Sequence, residues 1–157
     1  MNFRRTVYLV VMSSVDYNET AHKLLKLLIR EEHQVELCQM ILECCMQERT
    51  YARFYGLLAQ KFCEVRDCYP AKFGEVFRNN YETIHRHEVN KIRNAAKMFA
   101  HLLYSDAIPY DCFEVLRVTE EDTTSAGRIF IKILFQEIAE NLGVDSFVKK
   151  LTQDDAK

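Results

Sequence analysis

The chain has 157 residues, 48% hydrophobic and 28% charged, with only 4 Gly and 2 Pro. Average usage would give about 19 of those two types, so sandwiches and barrels, which need a turn every ~10 residues, and glycine-rich phosphate loops are both disfavoured. The net charge of -2, from 21 basic and 23 acidic residues, excludes a bulk electrostatic nucleic-acid binder but leaves local basic patches open.

Asn2 is placed to cap a first helix running through Met12. Asp16-Tyr17-Asn18-Glu19 has the form of a capping box and starts a second, in which Ala21, Leu24, Leu25 and Leu28 follow the i, i+3, i+4, i+7 pattern. Cys38, Ile41, Leu42 and Cys45 repeat the pattern in a third. In the fourth, Thr50 is the N-cap, Tyr51 opens a stripe continued by Phe54, Tyr55, Leu58, Phe62 and Val65, and Pro70 is the stop. Gly56 sits inside this helix, where two backbones are expected to approach closely. The pattern resumes with Phe73, Val76, Phe77, Tyr81 and Ile84, pauses at 86–88, and continues through Ile92, Ala96, Phe99 and Leu103 to an end at 106–109. A short helix over 110–118, a strong one capped within 119–125 and closed by Gly143, and a last turn or two at 146–151 complete the chain. Each helix offers one apolar stripe that a single hairpin cannot bury. The expected fold is therefore all-α, antiparallel helical hairpins stacked side by side in one domain over 1–157.

No apolar run nears the ~20 residues of a membrane span. The N-terminal Arg4-Arg5 and Val7 to Met12 imitate a signal peptide, but no small-residue cleavage site follows. The six cysteines show no C-x-x-C pair and no paired histidines at finger spacing, so they read as buried thiols in a reducing compartment, with a disulfide as the alternative. Ser13, Ser14, His85, His87 and His101 do not assemble into a catalytic set: no nucleophile sits on a glycine elbow, and the two imidazoles at i, i+2 face different ways. His101 reads as a core-edge histidine making one hydrogen bond. No catalytic, cofactor or metal site is expected.

The informative surface is basic. On a helical wheel Arg93 and Lys97 lie opposite the Ile92, Ala96, Phe99 and Leu103 stripe, with Asn90 nearby and Arg86 joining them if the helix is continuous. This strip is either a solvated outer face or a docking strip for acidic protein or a nucleic-acid backbone. Arg49, at the turn after the third helix, and Asp106, at the end of the long one, complete the candidate partner-binding residues.

Residues 42–63, with Cys44-Cys45, Arg49-Thr50-Tyr51 and Phe54-Tyr55-Gly56, resemble the MA-3 (MI) domain, and residues 90–104 and 123–132 narrow the resemblance to nucampholin-type, Cwc-series pre-mRNA-splicing factors. The resemblance covers nearly the whole chain. It implies a HEAT-like α-solenoid acting in the nucleus as a non-enzymatic platform on core spliceosomal proteins near the exon. A DEAD-box helicase of the initiation-factor-4A type is a further implied partner, as are RNA backbone contacts within the complex. Rival readings are a nucleolar ribosome-biogenesis factor of the same architecture and a translation regulator that clamps that helicase. The family's domain usually continues with further helices, so the chain reads as an excised fragment with its C-terminal helices missing. The stripe of the helix ending at Leu142 is then expected to lie partly uncovered and to favour self-association.

Overall fold

Helix α1 (Phe3–Ser13) begins where the Asn2 side chain accepts the Arg5 N–H at 3.1 Å. In α2 (Tyr17–Leu25) the Asp16 carboxylate accepts from the Asn18 N–H at 2.9 Å, but Glu19 turns outward to Lys23 at 2.8 Å, so only half of the capping box forms. The computed structural model describes residues 2–27, 29–116 and 124–155. Leu28, the last two residues of the short helix expected over 110–118, and the candidate caps at 119–123 lie outside them.

After α3 (Glu31–Gln47), two sequence expectations fail. Helix α4 (Arg53–Val65) starts after Ala52 and not after Thr50, which is an exposed bend residue, and Tyr51 folds inward. Pro70 does not stop α4; it lies in the first turn of α5 (Tyr69–Glu82), where its missing N–H would have had no helical partner in any case. The break comes earlier than the pause expected at 86–88: α5 ends at Glu82, leaving Ile84 outside it, and a 3-10 helix, Ile84–Arg86, precedes α6 (Val89–Tyr104). A second 3-10 helix, Tyr110–Val115, precedes α7 (Ser125–Leu142), whose first turn is capped by the Thr124 hydroxyl accepting the Gly127 N–H at 3.0 Å. Gly143 ends α7 with φ 87, the left-handed region that glycine enters without strain. Helix α8 (Val144–Asp155) is longer than the expected turn or two.

The helices pack in two rows. Helices α1, α3 and α5 form one row and α2, α4 and α6 the other. The 3-10 helix Tyr110–Val115 packs on α5 and takes the next place in the first row, while α7 packs along α6 and extends the second. The solenoid is thus continued with a short first-row element, and neighbours within a row run in the same direction because each hairpin returns the chain to its starting edge.

Between the rows, Phe62, Phe73, Phe77, Phe99 and Phe130 are fully buried, each stabilising the fold by about 2–3 kcal/mol through area removed from water. Phe77 is the hub, with ring centroids 5.1 Å from Phe99, 5.7 Å from Phe130 and 6.3 Å from Phe113. The cysteines are thiols, and all but the half-buried Cys68 are buried. Burial pushes the Cys44 thiol up to about 11 and Cys63 up to about 12, and raises Cys38 and Cys45 as well. Thiolate is the reactive form, so a thiol reagent is expected to modify only Cys68 promptly in native protein and six groups after unfolding. Two prompt groups, or fewer than six in denaturant, would contradict this.

Candidate functional site

The polar strip of α6 comprises Asn90, Arg93, Lys97, His101 and Tyr104, and its two halves meet different fates. Along the first half, α7 lies close enough to form the wall of an open groove of about 450 Å³. Val89, Arg93 and Lys97 line one side; Ile129, Lys132, Ile133, Gln136 and Glu137 line the other. Both sets occur one helical turn apart and in the same chain order, as expected for adjacent second-row helices. Arg93 and Lys97 therefore form part of the wall of an open groove, while Asn90 stays outside it on the exposed face.

Within the groove the charges are unequally satisfied. Lys97 Nζ lies 3.7 Å from Glu137 Oε1, both side chains being about one-third exposed. Arg93 and Lys132 are exposed, with no carboxylate within ion-pair distance among the described residues. The aliphatic side chains of Ile129 and Ile133 form the half-buried part of the α7 wall.

Along its second half, the strip is covered by α4. His101 is 3% exposed and makes two hydrogen bonds where one was expected. Its Nε2–H donates to Gln60 Oε1 at 2.7 Å, and Nδ1 accepts from the Tyr104 hydroxyl at 3.0 Å. Gln60 in turn donates to Glu64 at 2.8 Å, extending the chain to the surface. This pattern suits a neutral ring; with Nδ1 protonated, the Tyr104 hydroxyl would accept instead. Burial, aided by the Arg53 cation, lowers the His101 pKa to about 4. The folded value is below the unfolded one near 6.5, so the folded state binds fewer protons between them. The His101 contribution is complete above pH ~6.5 and is lost as pH falls toward ~4. His87, lowered by burial and by Lys91 and Arg86, adds to the loss in the same direction. Denaturant titrations at pH 7 and pH 5 are expected to differ by about 1–2 kcal/mol, after allowing for solvent screening. An imidazole NMR midpoint for His101 above 6 would contradict the assignment.

The remaining candidates take separate places. Arg49 is exposed in the α3–α4 turn. The adjoining backbone is fastened to α6 by buried Asn94, whose amide donates to Glu48 O at 2.7 Å and Cys45 O at 3.1 Å. Arg49 therefore sits on the corner next to the turn carrying Arg93. The long helix is not continuous, so Arg86 is not on the α6 strip; it is exposed on the 3-10 helix that packs against the start of α7. Asn90 is exposed in the first turn of α6. Asp106 is away from the groove, at φ 61 just past the end of α6, with its carboxylate 2.8 Å from Lys150 of α8. That pair is open to solvent, and Lys150→Ala is expected to cost no more than about 0.5 kcal/mol by thermal melting.

Reading the sequence missed Lys132, Glu137, Ile129, Ile133 and Asn94. The first four belong to the second groove wall, visible only once α7 is known to follow α6 in the same row. Asn94 did carry a signal: it is an amide among the apolar residues of a helix otherwise read as stripe and strip.

The family model described as MA3 domain matches residues 3–109. The chain is 51% identical over 96% of its length to the pre-mRNA-splicing factor CWC22 homolog of Drosophila melanogaster, covering 11% of that protein. It is 50% identical over 98% of its length to the Homo sapiens CWC22 homolog and 49% identical over 96% to pre-mRNA-splicing factor cwf22 of Schizosaccharomyces pombe, covering 17% of each. The chain thus spans between about a tenth and a sixth of the length of these relatives.

Proposed function

The chain belongs to the MA3 domain family, and from that premise we propose that it is a non-catalytic docking platform acting in pre-mRNA splicing in the nucleus. One observation carries the reading: identity near 50% runs through nearly the whole chain to relatives named as splicing factors in insect, mammal and fission yeast. Its partners are core spliceosomal proteins near the exon. Contacts to RNA backbone and to a DEAD-box helicase of the initiation-factor-4A type are secondary to that docking. Arg49, Arg86, Asn90, Arg93, Lys97 and Asp106 are the docking candidates.

The two-row stack supports this reading physically. A solenoid presents long, rigid rows of helices, and a partner can span several of them without the platform ordering loops on binding.

Capture from nuclear extract on the immobilised chain, followed by chemical cross-linking and mass spectrometry, tests the proposal. Core spliceosomal proteins cross-linked to the α6–α7 side are the expected result. Enrichment of pre-ribosomal proteins or cytoplasmic initiation factors in their place would overturn it.

A further inference from the structure

We propose that the α6–α7 groove binds an acidic amphipathic helix of a partner protein. The inference deepens the docking reading and rests on it. The groove has the size of a small binding cleft, about 450 Å³. Three successive turns line each wall, so its lined length is about 12 Å, or two to three turns of a helical ligand.

Charge decides the chemistry of the occupant. Arg93 and Lys132 stand on opposite walls, exposed and without carboxylate partners among the described residues. Lys97 has a partner in Glu137, but at 3.7 Å and part-exposed, leaving that ammonium open to a second carboxylate. Beside them, on the α7 wall, Ile129 and Ile133 supply half-buried aliphatic surface. A helix with carboxylates along its flanks and Leu or Ile on the face between them meets both features together.

The same features disfavour RNA. Single strands are held by aromatic planes and an unbroken cationic track, whereas the residues lining this groove include no aromatic ring, and Glu137 places a carboxylate in the wall. The Glu137 carboxylate acts alike on phosphate and on peptide carboxylate, so what favours the peptide is the lack of a base-stacking ring together with the aliphatic Ile129 and Ile133, which a helix's Leu or Ile can cover.

A phage-displayed library of random 16-residue peptides, selected on this chain, tests the proposal. Enriched peptides are expected to carry Asp or Glu together with Leu or Ile at helical spacing. The double reversal Arg93→Glu with Lys132→Glu is expected to weaken them at least about thirtyfold. Both residues are exposed, so circular dichroism is expected to be unchanged; Gln136→Lys, on the same wall, is a folding-safe second variant that should tighten binding. Enrichment of neutral or basic peptides, or acidic peptides indifferent to the reversal, overturns the inference. So does Arg93- and Lys132-dependent binding of a 20-nucleotide uridine strand with no peptide selected. If the charge-reversed chain still captures spliceosomal proteins from extract, the groove assignment fails while the docking reading stands. If acidic peptides bind but no spliceosomal protein is captured, the docking reading fails alone.

Discussion

Asn94→Ala is expected to destabilise the chain by about 3 kcal/mol, measured by urea unfolding, and Asn94→Asp by more. Asn94 is 1% exposed, and its amide serves two carbonyls at the end of α3, Cys45 O and Glu48 O. The last carbonyls of a helix lack intrahelical donors and need a partner from elsewhere; here the donor is 46 residues away from Glu48, on another element. Alanine leaves at least one of these acceptors without its donor and removes packed volume. Aspartate is worse, because a carboxylate would direct a third acceptor at two others in a buried place. The two substitutions thus separate the hydrogen bonds from the volume: equal losses for Ala and Asp would mean packing dominates. The corner released is the one that presents Arg49, so under the docking role proposed for that residue, partner capture from extract is expected to weaken in Asn94→Ala.

This fastening also explains what was legible from the residues and what was not. Helical period is a local signal, and the apolar stripes of α2 to α6 mostly appear where the spacing places them because burial of one face is imposed by the whole stack; the exceptions are in the fourth, where Tyr51 precedes the helix and Val65 is exposed. Helix starts were legible where the cap is local: Asn2, Asp16 and Thr124 all accept from N–H groups two or three residues onward. They were misread where tertiary contacts override propensity. Thr50 is a good cap by type, but Tyr51 is drawn inward against α4 and α6, and the helix begins beyond it. Pro70 punctuates a start rather than an end, and only the position of the next stripe distinguishes the two. For the groove, one wall was readable and one was not: α6 showed its cations, whereas the meaning of Lys132 and Glu137 depends on α7 lying beside α6, across a connection too long for spacing to decide.

Gly56→Ala tests the contact that sets the distance between the second-row helices. Elsewhere in a helix, this change would stabilise by about 1 kcal/mol, because glycine has more conformational freedom to lose on folding. Here the added methyl would lie 2.7 Å from His101 Cγ and 2.9 Å from His101 Cβ, and against the Tyr51 hydroxyl. Close approach was expected at Gly56, but between backbones; what occupies the space is the two side chains. Neither can move aside without loss. The His101 ring is held at both nitrogens by Gln60 and Tyr104, and the Tyr51 ring is largely enclosed. Overpacking of this kind costs about 1–3 kcal/mol or more, so the clash outweighs the helix term and a net loss of about 2 kcal/mol is expected in thermal or denaturant unfolding. Pairing the substitution with His101→Ala gives the sharper outcome. His101→Ala removes the Cγ contact and lets the Cβ shift, although the Tyr51 hydroxyl stays, so the double variant is expected to be more stable than the sum of the single losses predicts, by about 1 kcal/mol of coupling. It should also lose the His101 part of the drop between pH 7 and pH 5, because no imidazole remains to be held neutral. A stabilised Gly56→Ala protein, or strictly additive losses, would mean that the α4–α6 spacing is set by another contact.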